Sequence, residues 1–188
     1  MSITQRLIGG FTVLTSLGAI LGGVSAMLFF DFEANATRVK VDAIPGTASA
    51  GQIKSSVLHT YGDILEAGLI ADPAERALRV KEVQERVEEF DKLCTFYEGT
   101  ITQPDDRVNW EKYLAVRGTW DQAIESCLKT AMEKDNEALK HAIHDTLEPA
   151  YHVIEGPLNV IMEWNISAGD KLAAEIYEQA GNLFLCAI

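Results

Sequence analysis

The chain has 188 residues, 47% of them hydrophobic, and its 16 Lys and Arg against 28 Asp and Glu leave a formal charge of -12. That length suits one domain, and the acidic balance argues against a nucleic-acid partner, because phosphate binding needs a basic face that releases counterions. Nothing points to an enzyme: no nucleophile-base pair and no Gly-rich phosphate loop is visible, Cys-x-x-Cys-His for a c-type haem does not occur, and no cofactor is expected. Every charged residue except Arg6 falls between Asp31 and Asn182, so an oily end joins an acidic body.

After a cytoplasmic N-terminus of residues 1–6, residues 7–30 read LIGGFTVLTSLGAILGGVSAMLFF without a charge. As a helix at ~1.5 Å per residue this segment spans ~36 Å, enough to cross a bilayer. A cleaved signal peptide is the competing reading, since Val24-Ser25-Ala26 resembles a cleavage site. Its apolar region would run only ~7 to 15 residues, whereas Met27-Leu28-Phe29-Phe30 keeps the chain oily beyond that point, which favours a retained transmembrane helix. Arg6 on one side and Asp31 and Glu33 on the other place the acidic body outside the cytoplasm by the positive-inside rule.

Residues 31–182 show helical spacing almost throughout and no strand-like alternation. The first helix continues from the membrane, with Pro45-Gly46 as an expected irregularity, and ends near Ala71. Asp72-Pro73-Ala74-Glu75 then supplies an N-cap acid, a first-turn proline and a Glu three residues on from the cap. The seam that follows, Val80, Val83, Val87, Phe90, Cys94, Tyr97 and Ile101, alternates intervals of three and four. Pro104 opens a third helix to about Met132, whose seam is Trp110, Tyr113, Arg117, Trp120, Ile124, Cys127 and Ala131. The break Glu133-Lys134-Asp135-Asn136 precedes a long fourth helix with its seam at Leu139, Ile143, Leu147, Ala150, Ile154, Leu158, Ile161, Asn165, Ala168 and Leu172. Pro149 and Pro157 each delete a backbone hydrogen bond there and predict bends.

Short connections make consecutive helices antiparallel. The expected fold is all-α: an up-down-up-down four-helix bundle continuous with an N-terminal transmembrane helix. The apolar run of residues 183–188 is expected to begin a second membrane span, of which ~20 residues would be needed. Cys94, Cys127 and Cys186 cannot all pair, and the helix assignment sets Cys94 and Cys127 far apart along the axis, so all three read as plain thiols.

The pattern resembles the extracytoplasmic four-helix-bundle sensor domain of methyl-accepting chemotaxis receptors. The resemblance is carried by the lead Met-Ser-Ile-Thr-Gln-Arg-Leu, by Ile44-Pro45, by Asp72-Pro73-Ala74-Glu75-Arg76, by Lys134-Asp135-Asn136-Glu137-Ala138 and by Leu147-Glu148-Pro149-Ala150-Tyr151. It implies the sensory part of a bacterial inner-membrane chemoreceptor, detecting a small-molecule ligand or a periplasmic binding protein. It further implies a homodimer packed along the first helix and a cytoplasmic signalling module beyond residue 188. The same bundle can head a histidine kinase or a cyclic-dinucleotide enzyme, and a membrane-anchored adaptor without signal output is a further alternative.

Five residues count to one level of such a bundle, Arg117, His59, Glu88, Tyr151 and His152, and all but Glu88 are candidate ligand residues. Arg117 stands where the heptad wants an apolar side chain. Its guanidinium fork could hold a carboxylate ligand, or an ion pair with Glu88 or Glu148 could use it to set register. The amino-acid-sensing branch of the family has arginines late in the first helix. His59, Tyr61, Asp63 and Glu66 stand there instead, so that ligand is not implied. His141, His144, Asp145 and Glu148 share a face with metal-competent spacing, yet a solvated surface is the better account and no metal is expected. Trp110, Tyr113 and Trp120 at seam spacing read as core rather than as a ligand slot.

Overall fold

The structure of the chain, a computed structural model, describes residues 2–133 and 135–186. Helix α1 spans Ile3–Arg38, a π turn Val39–Ala43 follows, and α2 covers Ile44–Leu69. Next come α3 (Pro73–Thr100), α4 (Pro104–Met132), the short α5 (Asn136–Ala142), a second π turn (Ile143–Leu147) and α6 (Glu148–Cys186). The first predicted helix is therefore α1, a π turn and α2, and the fourth is α5, a π turn and α6. Lys134 of the predicted turn, and the last two residues of the predicted second membrane span, lie outside the described residues.

The helix starts follow from local chemistry. Ser2 and Gln5 cap α1 reciprocally: the Ser2 hydroxyl accepts from the Gln5 amide at 3.3 Å and the Gln5 side chain accepts from the Ser2 amide at 3.1 Å. Asp72 accepts from the Ala74 amide at 2.8 Å at the head of α3, with Pro73 in the first turn where its missing N–H costs nothing. The expected partner of that cap, Glu75, is replaced by Arg76, whose buried guanidinium donates to the Ile70 carbonyl at 3.2 and 2.5 Å and closes the α2–α3 turn. Asp135 accepts from the amides of Glu137 and Ala138 at 3.1 and 3.0 Å and starts α5.

Both π turns end two residues before a proline, Pro45 and Pro149. Proline offers no N–H to the carbonyl four residues back and its ring crowds that carbonyl, so the turn before it widens. The irregularity expected at Pro45-Gly46 and the bend expected at Pro149 take this form, whereas Pro157 lies within α6 itself. In the second π turn the widening also serves the core, because the seam Leu139, Ile143, Leu147 advances by four residues twice in succession. An ordinary α-helix would turn Leu147 by ~80° from Leu139, towards the edge of the core face, yet Leu139 and Leu147 are both fully buried.

The chain divides into two compact units. In the unit Val41–Ala168, α2, α3, α4 and the α5–α6 segment form an up-down-up-down four-helix bundle. Its core is the set of predicted seams: Val80, Val83, Phe90, Cys94 and Tyr97 from α3, Trp110, Tyr113, Trp120, Ile124 and Cys127 from α4, and Leu147, Ala150, Ile154, Leu158 and Ile161 from the last helix. Each large apolar side chain sealed this way contributes ~1.5–3 kcal/mol. The other unit comprises residues up to Lys40 and from Gly169 on. In it α1 buries no residue at all, and Asn35 donates to Gln179 at 3.3 Å.

Candidate functional site

Arg117 does not offer a free cation. Its guanidinium donates to Asp91 of α3, lies 3.3 Å from Asp121 one turn along α4, and stands 5.3 Å above the centre of the Phe90 ring. The ion-pair partner is thus neither Glu88 nor Glu148. Antiparallel packing of α3 and α4 sets Phe90 and Asp91 opposite Arg117, while Glu148 of α6 pairs with His144. An aromatic face and two carboxylates surround the fork, which explains how a charge holds a seam position, although the buried Nε makes no hydrogen bond. Burial raises the Asp121 carboxyl above its usual range, with Arg117 pulling the other way. Beside this cluster a groove of about 390 Å³ runs between α3 and α4 over Val87, Ile124, Leu128 and Met132.

Tyr151 belongs to a different cluster. Its ring stacks on Tyr61 of α2 at 4.7 Å and 23°, meets Trp120 of α4 at 6.3 Å, and takes the edge of His152 at 5.6 Å. Tyr61 and Tyr151 are half-buried and bridge α2 to α6. Both phenols are raised, first by burial and then by carboxylates, Glu148 for Tyr61 and Glu155 for Tyr151. His59 is exposed and outside the cluster, for two residues of helix rotate a side chain by ~200° relative to Tyr61. Of the residues counted to one level, Tyr151 and His152 stay in contact while Arg117 and His59 lie apart from them, and Tyr61, present in the sequence as a bare neighbour of His59, joins Tyr151.

Asp63 and Glu66, which stand where one branch of the resembling family has arginines, are taken by arginines of α3. Arg86 reaches Asp63 at 2.9 Å and Arg79 reaches Glu66 at 3.1 Å. The metal-competent face resolves into two exposed pairs, His141 with Asp145 at 3.6 Å and His144 with Glu148 at 3.1 Å. The π turn holds one member of each pair, Asp145 and His144, and among the described residues no three His, Cys, Asp or Glu side chains gather as a ligand set. Trp110, Tyr113 and Trp120 are core side chains, each 1% exposed or less. Cys94 and Cys127 are buried free thiols, the latter pushed up to about 11 by burial.

One polar cluster went unread in the sequence. At the bundle end that carries the α3–α4 turn, the Tyr97 hydroxyl donates to Asp106 at 2.6 Å and accepts from Asn165 at 2.7 Å. Asp42 of the first π turn accepts from the Thr102 hydroxyl. Tyr97, Asp106, Asn165 and Asp42 are all buried. Burial raises the Asp106 carboxyl, the Tyr97 bond lowers it, and the nearby Asp42 charge raises it again. The available signal was Asn165, a polar residue in an otherwise apolar seam.

The chain matches, over residues 1–182, the family described as a four helix bundle sensory module for signal transduction. It belongs to that family, the sensory module of methyl-accepting chemotaxis proteins. No curated protein matches the chain. The sensory module is a signal-transduction unit.

Proposed function

We propose that this sensory module is the extracytoplasmic part of a bacterial chemoreceptor that detects a small ligand and passes a helix displacement across the inner membrane. The observation that carries the reading is α1, which exposes apolar side chains on every side: Leu7 is 69% exposed, Phe11 75%, Leu14 70% and Phe30 68%. A helix apolar all round needs a lipid or protein environment. Its Thr12 and Thr15 hydroxyls donate back to the Ile8 and Phe11 carbonyls at 2.9 Å, as side chains in lipid require. A ligand seated at Tyr61 and Tyr151 touches α2 and α6 together, and one that binds two relative heights of these helices unequally shifts the balance between them.

The active form in this reading is a dimer packed along α2. An uncharged stripe faces outwards there at intervals of three and four, from Val41 (50% exposed) and Ile44 (62%) to Leu58 (53%), Leu65 (36%) and Leu69 (84%). The small residues Ala48, Gly51, Ser55 and Gly62 lie between them, with open space around both glycines. That pattern is a coiled-coil seam suited to a second copy of the same helix. The test is deletion of the gene followed by capillary chemotaxis assays over a panel of small metabolites. The reading expects at least one response to vanish and to return with the wild-type gene but not with Tyr151→Ala. A deletion strain that swims up every gradient as its parent does would overturn it.

A further inference from the structure

Asn165 is the one polar side chain in the apolar seam of α6, and it is 1% exposed. Its amide nitrogen donates to the Tyr97 hydroxyl at 2.7 Å and to the Ile161 carbonyl at 3.0 Å. Its oxygen has no hydrogen-bond partner and rests on the α2 backbone at Gly46, where an added Cβ would come within 2.4 Å of it. Gly46 is therefore needed for close approach rather than for an unusual backbone angle. Around this contact the other elements are tied at the same level, Tyr97 of α3 to Asp106 of α4 and Asp42 of the π turn to Thr102 of the α3–α4 turn.

Such a contact is sensitive to height. A slide of α6 stretches the 2.7 Å bond to the ~3.2 Å limit of a good hydrogen bond after ~0.5 Å if it runs along the bond and after ~1.7 Å if it runs across it. It also carries the amide oxygen off the glycine towards Ser49 and Ala50, residues that have a Cβ. A hydrophobic seam tolerates small slides, whereas a buried amide accepts one seat and loses its partners elsewhere.

We propose that Asn165, seated against Gly46, is a positioning residue that holds α6 at one axial height against α2 and so sets the resting output of the sensor. The proposal rests on the signalling reading above. The alternative heights become about tenfold more accessible when the lock is removed, the worth of one buried hydrogen bond.

The experiment is a distance measurement by pulsed electron paramagnetic resonance on the full chain in lipid nanodiscs. Labels go at the exposed positions His59→Cys on α2 and Glu163→Cys on α6 in a Cys186→Ser background, diluted with unlabelled chain. Gly46→Ala is expected to displace the distribution by an ångström or more, and Gly46→Ala with Asn165→Ala to bring it back, since the methyl group then fills the space the amide left. Asn165→Ala alone is expected to broaden it. A distribution as narrow and as centred as wild type in both single variants overturns the lock, as does failure of the double variant to restore the distance. Should Gly46→Ala fail to fold, the Asn165→Ala width decides alone. The same variants are scored for resting swimming bias in cells: α6 displaced with an unchanged bias overturns the signalling reading and leaves the lock standing.

Discussion

Replacing Tyr97 by Phe removes one oxygen atom from the centre of the buried polar cluster. Tyr97 is 0% exposed, and Asp106 and Asn165 are each 1% exposed. The lost hydroxyl donates to a carboxylate at 2.6 Å and accepts from an amide at 2.7 Å. A hydrogen bond to a charged group is worth ~1.5–3 kcal/mol, and a buried group left without its partner costs ~1–3 kcal/mol. The two losses overlap, so Tyr97→Phe is expected to destabilise the bundle by roughly 2–4 kcal/mol at neutral pH. For a chain of this size that is a fall in Tm of roughly 5–15 °C. The assay is thermal unfolding of the full chain in detergent followed by circular dichroism, with Tyr177→Phe as control, because Tyr177 is 84% exposed. Acid reduces the loss, since a protonated Asp106 no longer leaves a bare charge in the core. A loss no larger than that of Tyr177→Phe, or one that grows on acidification, would refute the reasoning.

Asp106→Asn keeps an acceptor for Tyr97 and removes the buried charge. Because the folded carboxyl is raised above its unfolded value near 3.8, mainly by burial, the wild type binds its proton more tightly when folded. Its stability relative to Asp106→Asn is therefore greatest below the unfolded pKa and falls as pH rises through the folded one; paired denaturant titrations between pH 3 and pH 8 should show the gap opening in that direction, and a gap that closes would contradict it. Arg117→Leu restores an apolar seam residue while breaking bonds to carboxylates that are 56% and 44% exposed. Solvent screening makes those pairs weak, so the variant should stay within ~1 kcal/mol of wild type by chemical denaturation, and a loss above ~2 kcal/mol would show that the pair holds the bundle together. Leu58→Cys, on the outward stripe of α2, should form an intersubunit disulfide on mild oxidation in native membranes, while Lys92→Cys on exposed α3 should not; equal yields would rule out α2 as the dimer seam.

Much of this fold was legible because a heptad seam reports on one helix at a time. Val80 to Ile101 and Trp110 to Ala131 are half-buried or buried at every predicted seam position, and Pro73 and Pro104 mark helix starts by a local rule that needs no tertiary information. The site was less legible because it depends on which residues face each other across helices. Arg117 was singled out correctly as an anomaly, but its partners Asp91 and Asp121 follow from rotation and offset between α3 and α4 that one strand of sequence does not carry. His59 and Tyr151 count to the same level, yet a two-residue difference in phase puts Tyr61 there instead. The Asn165 cluster was visible only as a polar residue in an apolar series, since Gly46, Tyr97 and Asp106 come from three other helices.

In the proposed mechanism α6 changes height against α2 when the sensor is occupied. Positions 59 and 163 lie roughly 11 residues, ~16 Å, apart along the bundle axis when referred to the Gly46–Asn165 and Tyr61–Tyr151 contacts, so their separation responds directly to an axial slide. The decisive measurement is the distance between spin labels at these two positions, without and with a saturating amount of the compound whose response the deletion strain loses. Signalling by axial displacement of α6 predicts a shifted distribution with the compound bound. An identical distribution, with binding verified calorimetrically in the same sample, would contradict it.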